Sequence, residues 1–522
     1  MAGFFYCLDS GFVIDCTKEL RGDCLLKSVL FFVSLLSMPF FGATANTVCP
    51  ENSTNVSETQ ECICDSGYTV TGIYGDSVYA TTNACKPVPK FNITTTKVSY
   101  FEIYIRAKGT YTIDWGDGTV EHINKTDTYS NSYYHSYGTN SVYNISISGK
   151  TTDYSSDNTI TFGDVDDITA LTGQLGAVFG TLPNGKSPNF YKAYVGASNL
   201  TTLSSDLFIG IDGSPDLFYE TFRDCTALTE VPEGLFDGIT TPAASLLQGT
   251  FKGCSSITKI PSVLTPNVTG SAPYMFWATF QDCSALKQIP PTIFSNITES
   301  AHGLFRAIFA GCDSLTEIPQ NLFAGITQPA SELFIYAFSR CYNLKSLPNG
   351  LFKNIKGKPA NQMFYETFAN CSNMTGTVPV NLFENLSSQN YSSGPMYRMF
   401  YNNGLSTKCP ANTVQYQTGF ERDWNGKVAC TPCPSDTVTH IGADNITRCL
   451  TPKTLHIGDD VTMKISPVKP STTPAMVFGI SDAKYYGGLS KTPRTINKNT
   501  NKKFRIFDSA SNNDYWLYDY TE

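Results

Sequence analysis

Six cysteines, Cys225, Cys254, Cys283, Cys312, Cys341 and Cys371, stand 29 residues apart four times and then 30. Thiols at such spacing admit four chemistries: nucleophile, metal ligand, half of a disulfide, or buried packing. If the spacing reflects stacked units, equivalent cysteines lie roughly 4.8 Å apart with parallel side chains. A disulfide needs Cβ atoms about 3.8 Å apart on converging vectors, so neighbouring ladder thiols should stay unpaired. Zinc ligands must converge on one point, whereas these form a line. A thiol buried in apolar surroundings has a raised pKa and is inert. Packing as small hydrophobes at a turn is therefore the expected role of all six.

Other chemistry-bearing patterns are weaker. The stretch "GTLPNGKS" (180–187) satisfies G-x-x-x-x-G-K-[ST], but Pro188 stands where the phosphate-cradling helix should continue, and the nucleotide reading is rejected. Asp164, Asp166 and Asp167 in "GDVDDIT" could supply oxygens to calcium. An acidic turn between domains is the simpler reading, and calcium stays open. The five histidines are dispersed, with no H-E-x-x-H, and no G-x-S-x-G elbow is present. No catalytic residue, metal or cofactor is implied.

Around each cysteine the apolar positions recur, as in "TFRDCTALTEVPEGLF", "TFQDCSALKQIPPTIF" and "IFAGCDSLTEIPQNLF". Phe lies three before Cys, Leu, Ile or Met three after, then Val, Ile or Leu followed by Pro. Phe218 and Phe222, like Phe276 and Phe280, are four apart, the spacing of one helix face. The proline lacks an N–H and suits a strand end or edge. Each unit thus predicts one short strand and a helical portion, too small to bury its own face, so that neighbours must stack. Atypical end units place Ala197 and Asn403 in the cysteine slot, as caps should.

This unit resembles the BspA-like leucine-rich-repeat surface proteins over roughly residues 188 to 405. The resemblance implies a leucine-rich-repeat-like α/β solenoid and adhesion to host or neighbouring-cell surfaces. Before it, "YFEIYIRAKGTYTIDWGDGTVEHI" and "HSYGTNSVYNISI" alternate apolar and polar residues around a Gly-Asp-Gly turn. They resemble a PKD-type β-sandwich, with Trp115, Gly116, Asp117, Gly118, His135 and Tyr137 at its motif positions. Those residues are expected to build a turn and pack a core.

Cys49, Cys62, Cys64 and Cys85 cluster before the repeats, and Cys409, Cys430, Cys433 and Cys449 after them. Two even sets in short, turn-rich segments read as disulfide staples. The second set resembles the small cysteine modules of extracellular receptors. Spacing does not fix the pairing; Cys409–Cys430 with Cys433–Cys449 is the expectation adopted.

At the N-terminus, Lys18, Arg21 and Lys27 precede the apolar run "SVLFFVSLLSMPFF" and the small-x-small triplet Ala43-Thr44-Ala45. This predicts a signal peptide cleaved near Ala45 and a secreted or cell-surface chain with no membrane span after cleavage. Charged residues make up 16% of the chain and the net charge is −8, so nothing draws it toward nucleic acid.

The expected organisation is a signal peptide (1–45), a cysteine-rich module (46–90), a PKD-like sandwich (91–165), a solenoid of 29-residue units (166–407), a second cysteine-rich module (408–450) and a β domain (451–522). The expected function is non-catalytic binding of a protein or glycan. Candidate residues lie between the core Leu and Ile of each unit: Thr229, Glu230, Thr258, Lys259, Lys287, Gln288, Thr316, Glu317, Lys345 and Ser346. An extracellular glycan-active enzyme or accessory subunit and a structural surface-layer component are the alternatives. Ligand identity and oligomeric state are not readable from the sequence.

Overall fold

The computed structural model describes residues 86–387, 394–410, 412–421, 424–435 and 444, with short strands outside them. The expected signal peptide, Cys49, Cys85 and Cys449 lie outside the described residues, as do the side chains of Cys62 and Cys64. The chain divides into two compact units. One comprises Met1–Val70 with Gly75–Lys86, and the other Thr71–Tyr74 with Pro87–Glu522. Within the first, Glu61–Cys64 pairs antiparallel with both Ser53–Val56 and Ser77–Val78.

The second unit opens with a seven-stranded mixed sheet: β1 (Phe91–Ile105), β2 (Ala107–Asp114), β3 (Val120–Lys125), β4 (Asn131–Tyr154), β5 (Ile160–Phe162), β6 (Ile168–Gly173) and β7 (Thr202–Leu203). Its order is β7-β6-β1-β4-β2-β3, with β5 also on β1. Aromatic and β-branched residues alternate along β1 and suit a half-buried pleat. Phe91, Ile93 and Thr95 are buried, then Val98, then Phe101, Ile103 and Ile105. Two register shifts against β4, at Thr94/Lys97 and Val98/Tyr100, account for the changes of phase. The hydrogen bonds trace one sheet where a two-sheet sandwich was expected. β6, beyond residue 165, pairs antiparallel with β1 and parallel with β7, which belongs to the first repeat.

The α/β solenoid expected of the repeats is also not what the chain forms. Among the described residues, the cysteine units contain no helix; the 3-10 turn Val165–Asp167 and α1 (Leu175–Phe179) both precede them. Strand pairing within those units shrinks to isolated bridges such as Glu230 with Lys259.

Each unit is instead a coil of overlapping turns. Between Ser214 and Cys225, every odd-numbered amide from Leu217 onward closes a turn onto the carbonyl three residues back, as in Thr221 N to Phe218 O (3.2 Å) and Cys225 N to Phe222 O (3.3 Å). Every even-numbered amide from Asp216 to Asp224 donates to the next coil, as in Phe218 N to Leu246 O (3.1 Å) and Phe222 N to Thr250 O (2.9 Å). Half the donors are satisfied locally and half by the neighbour, so no sheet ladder is needed to pair them. The turns ending at Leu217, Thr221 and Cys225 carry positive φ at their third residue, Asp216 (56°), Glu220 (48°) and Asp224 (60°), the type II geometry. The next units repeat this at Ser245, Gly249 and Gly253, then Tyr274, Ala278 and Asp282, then Gly303, Ala307 and Gly311. A left-handed residue every fourth position is incompatible with an α-helix. The four-residue phenylalanine spacing is the period of this turn spiral.

Packing explains why the coils stay in register. Phe222, Phe251, Phe280, Phe309, Phe338, Phe368 and Phe400 form a continuous stack with centroids 5.6–5.8 Å apart. A second stack runs through Phe276, Phe305, Phe334 and Phe364, and a third through Phe294, Phe323, Phe352 and Phe383. Fully burying one such ring stabilises by about 1.5–3 kcal/mol. One cluster of buried side chains runs from Phe91 to Ala429.

The last coil is closed by residues of the second cysteine module. Phe383 meets Phe420, Phe400 meets Trp424, and Lys427 Nζ donates to the carbonyls of Asn403 (2.9 Å) and Leu405 (2.6 Å). β8 (Thr413–Tyr416) and β9 (Ala429–Pro432) pair antiparallel, and a Cys409–Cys430 disulfide joins this hairpin to its approach. Cys433 is also disulfide-bonded. In the tail, Lys453–His456, Thr462–Pro467, Asn513–Leu517 and Phe504–Asp508 form an antiparallel four-stranded sheet in that order.

Candidate functional site

The ladder cysteines sit on the inner side of the turn spiral, three residues after the stacked phenylalanine. All six are free and fully buried. Each thiol donates to a carbonyl of the preceding coil, Cys225 to Tyr194 and Cys254, Cys283, Cys312, Cys341 and Cys371 to Phe222, Phe251, Phe280, Phe309 and Phe338, at 3.0–3.3 Å. Thr221, Thr250 and Thr279 make the same kind of bond four residues earlier. Burial raises Cys283, Cys312 and Cys341 well above the ordinary thiol value and pushes Cys371 up to about 12. Cys225 is raised as well, by the neighbouring Cys254 thiol first and then by burial. The thiols act as inter-coil donors. Ala197 and Asn403 occupy the slot at the two ends, both buried.

The candidate strip follows each cysteine. Leu228 and Val231 point inward and leave Thr229 and Glu230 exposed, and the same holds for Thr258 and Lys259, Lys287 and Gln288, Lys345 and Ser346. Glu317 is exposed and Thr316 half-buried. Backbone bonds tie successive coils here, Thr258 N to Thr229 O (2.9 Å) and Lys345 N to Thr316 O (3.1 Å). At one end Lys259 lies 3.4 Å from Glu230, both side chains more than half exposed. Such a pair contributes at most about 1 kcal/mol.

At the other end the strip opens into a shallow groove of about 520 Å³. Lys287, Gln288, Thr316 and Lys345 line it, together with Ser314, Asn343 and Asn373. The two asparagines form an amide chain, Asn373 Nδ2 to Asn343 Oδ1 (3.0 Å) and Asn343 Nδ2 to the Asp313 carbonyl (3.0 Å). Lys287 and Lys345 are exposed, and neither has a carboxylate partner among the described residues. No carboxylate, histidine or thiol lines this groove. It offers cations, amides and hydroxyls. Thr229, Glu230, Thr258, Lys259, Glu317 and Ser346 are not among its lining residues.

A second groove, of about 390 Å³, was not anticipated. Its residues all precede the cysteines, on the turn spiral. Trp277 and Tyr336 flank a floor of buried Ala307 and Ala310. Arg306 lies over the Trp277 ring at 4.7 Å and pairs with Glu332. Arg340 pairs with Asp282 at 2.8 Å, and Glu366 with Arg398 at 3.2 Å. Gln281, Ser339 and Asn370 complete the lining. Trp277 is the one tryptophan within the repeats, and it stands where other units carry Tyr219 or Tyr365. That departure from the repeat was the available signal.

The remaining motifs resolve into structure. Trp115 is buried, stacks on His135 (5.4 Å), and accepts at its carbonyl from the Tyr137 hydroxyl (2.9 Å). Asp117 takes a bond from Thr119 N and lies 2.8 Å from His135 Nε2; these contacts, His135 first, hold its carboxyl at about 2. Gly116 has φ 84°, and a Cβ there would meet the Asn144 carbonyl oxygen at 2.6 Å. Asp164 caps its own turn through Asp166 N, Asp166 accepts from Ser198, and Asp167 accepts from Thr96. The three carboxylates are thus directed at separate protein donors, and no cluster able to hold a metal occurs among the described residues. Lys186 of the "GTLPNGKS" stretch folds onto Asp153, and Leu182 N to Lys186 O (2.8 Å) closes that stretch as a turn.

Comparison with family models, with curated proteins and with solved structures returned no match to this chain. Among the described residues, no helix is long and apolar enough to cross a membrane.

Proposed function

We propose that this protein is an exported, non-catalytic binding protein that recognises a protein or glycan on host or neighbouring-cell surfaces. The strip groove is the recognition site. The observation that carries this reading is the pair Lys287 and Lys345, exposed, unpaired with any described carboxylate, and set two coils apart across Thr316. Two unpartnered ammonium groups beside planar amides and hydroxyls suit a carboxylate-bearing ligand, such as a sialylated or uronate glycan or an acidic protein segment. Glycoside hydrolysis calls for a pair of carboxyl groups about the scissile bond, and this groove contains none. The resemblance of the repeat unit to BspA-like surface proteins supports a place at the cell surface, as do the leader residues, and both rest on sequence alone.

The test is an array of glycans and host surface proteins probed with the full chain beside a hydrolase panel. Binding without turnover is expected. Turnover of any arrayed glycan would overturn the proposal, as would self-assembly into sheets with no ligand bound.

A further inference from the structure

We infer that the Trp277–Tyr336 groove is a second binding site and that it takes a neutral oligosaccharide. The inference is independent of the strip groove, which uses other residues of each unit. It starts from charge. Every ionic group facing this groove already has a partner: Arg306 with Glu332, Arg340 with Asp282, Glu366 with Arg398. No net charge is left to recruit an ion. The guanidinium groups of Arg306 and Arg340 nevertheless keep further N–H donors, because each ion pair engages a single nitrogen. Gln281 Nε2 donates to Asp282 Oδ2 (3.0 Å), Asn370 Oδ1 accepts from Asn402 Nδ2 (3.0 Å) and Ser339 Oγ donates to the Ala369 carbonyl (3.3 Å), which leaves the Gln281 carbonyl oxygen and the Asn370 N–H groups to meet a ligand. Planar groups with paired donors or acceptors match vicinal hydroxyls.

The walls supply the second half of the match. Trp277 and Tyr336 are half-buried aromatics on coils two apart, and the coil between them contributes Ala307 and Ala310. Where other coils place Tyr, Glu or Arg, the small alanines leave the slot open. An aromatic wall over a methyl floor accommodates an apolar C–H face, and it orients the ligand through a few polar groups at the rim. A sugar ring presents an apolar face and an equatorial rim of hydroxyls, without charge. Tyr365 and Tyr397 extend the Trp277 position along later coils, their rings 5.8 Å apart, so an oligomer is favoured over a monosaccharide. An apolar peptide side chain could enter the same slot, but it would leave the Gln281 carbonyl oxygen, the Asn370 N–H groups and the guanidinium N–H groups at the rim unpaired.

The experiment is a calorimetric titration of the full chain with neutral hexasaccharides of glucose, xylose, mannose and N-acetylglucosamine. Measurements are repeated with Trp277→Ala, with Gln281→Ala and with the double variant Lys287→Ala/Lys345→Ala. The expected result is that at least one neutral hexasaccharide binds, that Trp277→Ala weakens it at least tenfold, and that Gln281→Ala weakens it severalfold. The double lysine variant should bind it as wild type does. Gln281 sits at the rim, so its variant reports even if Trp277→Ala fails to fold. Absence of binding by all four sugars overturns the inference. So does equal binding by the Gln281→Ala protein, or binding lost only in the lysine variant, which would place the sugar in the strip groove. Failure here leaves the strip reading standing, because that reading is tested with acidic ligands.

Discussion

Replacing Gly249 with alanine separates the turn spiral from a helix by the sign of the effect. Gly249 has φ 62° and stands in the second left-handed position of its unit. A Cβ built there would approach Glu220 Cγ to 2.9 Å. Glu220 is not free to swing away without loss, because Lys192 (3.4 Å) and Arg223 (3.1 Å) hold its carboxylate. An L-residue in the left-handed region costs roughly 1–2 kcal/mol. In a helix interior the same change would stabilise by about 1 kcal/mol. The two accounts thus differ by about 2–3 kcal/mol. The assay is the urea midpoint of the full chain, read by circular dichroism and by tryptophan fluorescence, with Gln362→Gly as the converse. Gln362 has φ 51°, so glycine there should be neutral or mildly stabilising once its unfolded-state entropy is counted. A midpoint that rises in Gly249→Ala and falls in Gln362→Gly would refute the turn spiral.

Phe280→Ala should destabilise by about 3–5 kcal/mol, since the ring is fully buried and stacks on Phe251 (5.8 Å) and Phe309 (5.7 Å); denaturant unfolding measures it, and a loss below 1 kcal/mol contradicts the stack. The six ladder thiols should resist a thiol reagent in the native chain and all react once it is denatured without reductant; rapid native labelling would show them accessible. Asp212→Asn tests an inter-coil staple. Burial works against the Asp212 carboxylate, but bonds from Thr240, Gly213 and Thr241 outweigh it and hold its pKa at about 2. A depressed carboxyl pKa stabilises the fold above the unfolded value near 4 and loses that contribution as pH falls through about 2. The variant should therefore be less stable than wild type by about 1–2 kcal/mol at pH 6. The gap should close below pH 2; a gap independent of pH would show that the charge is not what matters.

How much of this was legible depends on the element. The 29-residue period, the inward cysteines and the capping substitutions Ala197 and Asn403 follow from aligning the chain with itself, because side chains that recur must meet the same neighbours. The local conformation did not follow. Phe218 and Phe222 satisfy helix spacing and turn-spiral spacing equally, and apolar period alone cannot choose between them. The discriminating residues were Gly249, Gly253, Gly303 and Gly311, which fall in the left-handed columns, where glycine has no steric cost. The strip was legible because it is framed by Leu and Ile that must point inward. Its division was not: whether Lys259 finds Glu230 while Lys287 finds no acid depends on the neighbouring coil. The Trp277 groove was missed because repeats are read for what recurs, and that groove is made of positions that do not.

The central claim is recognition without turnover at Lys287 and Lys345. Its most direct test is surface plasmon resonance of the full chain over immobilised sialylated and uronate glycans and acidic peptides, with Lys287→Ala/Lys345→Ala alongside. Both lysines are exposed, so the variant should fold as wild type does. The account predicts at least one salt-sensitive binder, weakened at least tenfold in the variant and recovered chemically intact. Unchanged affinity in the variant, or a cleaved ligand, would contradict it.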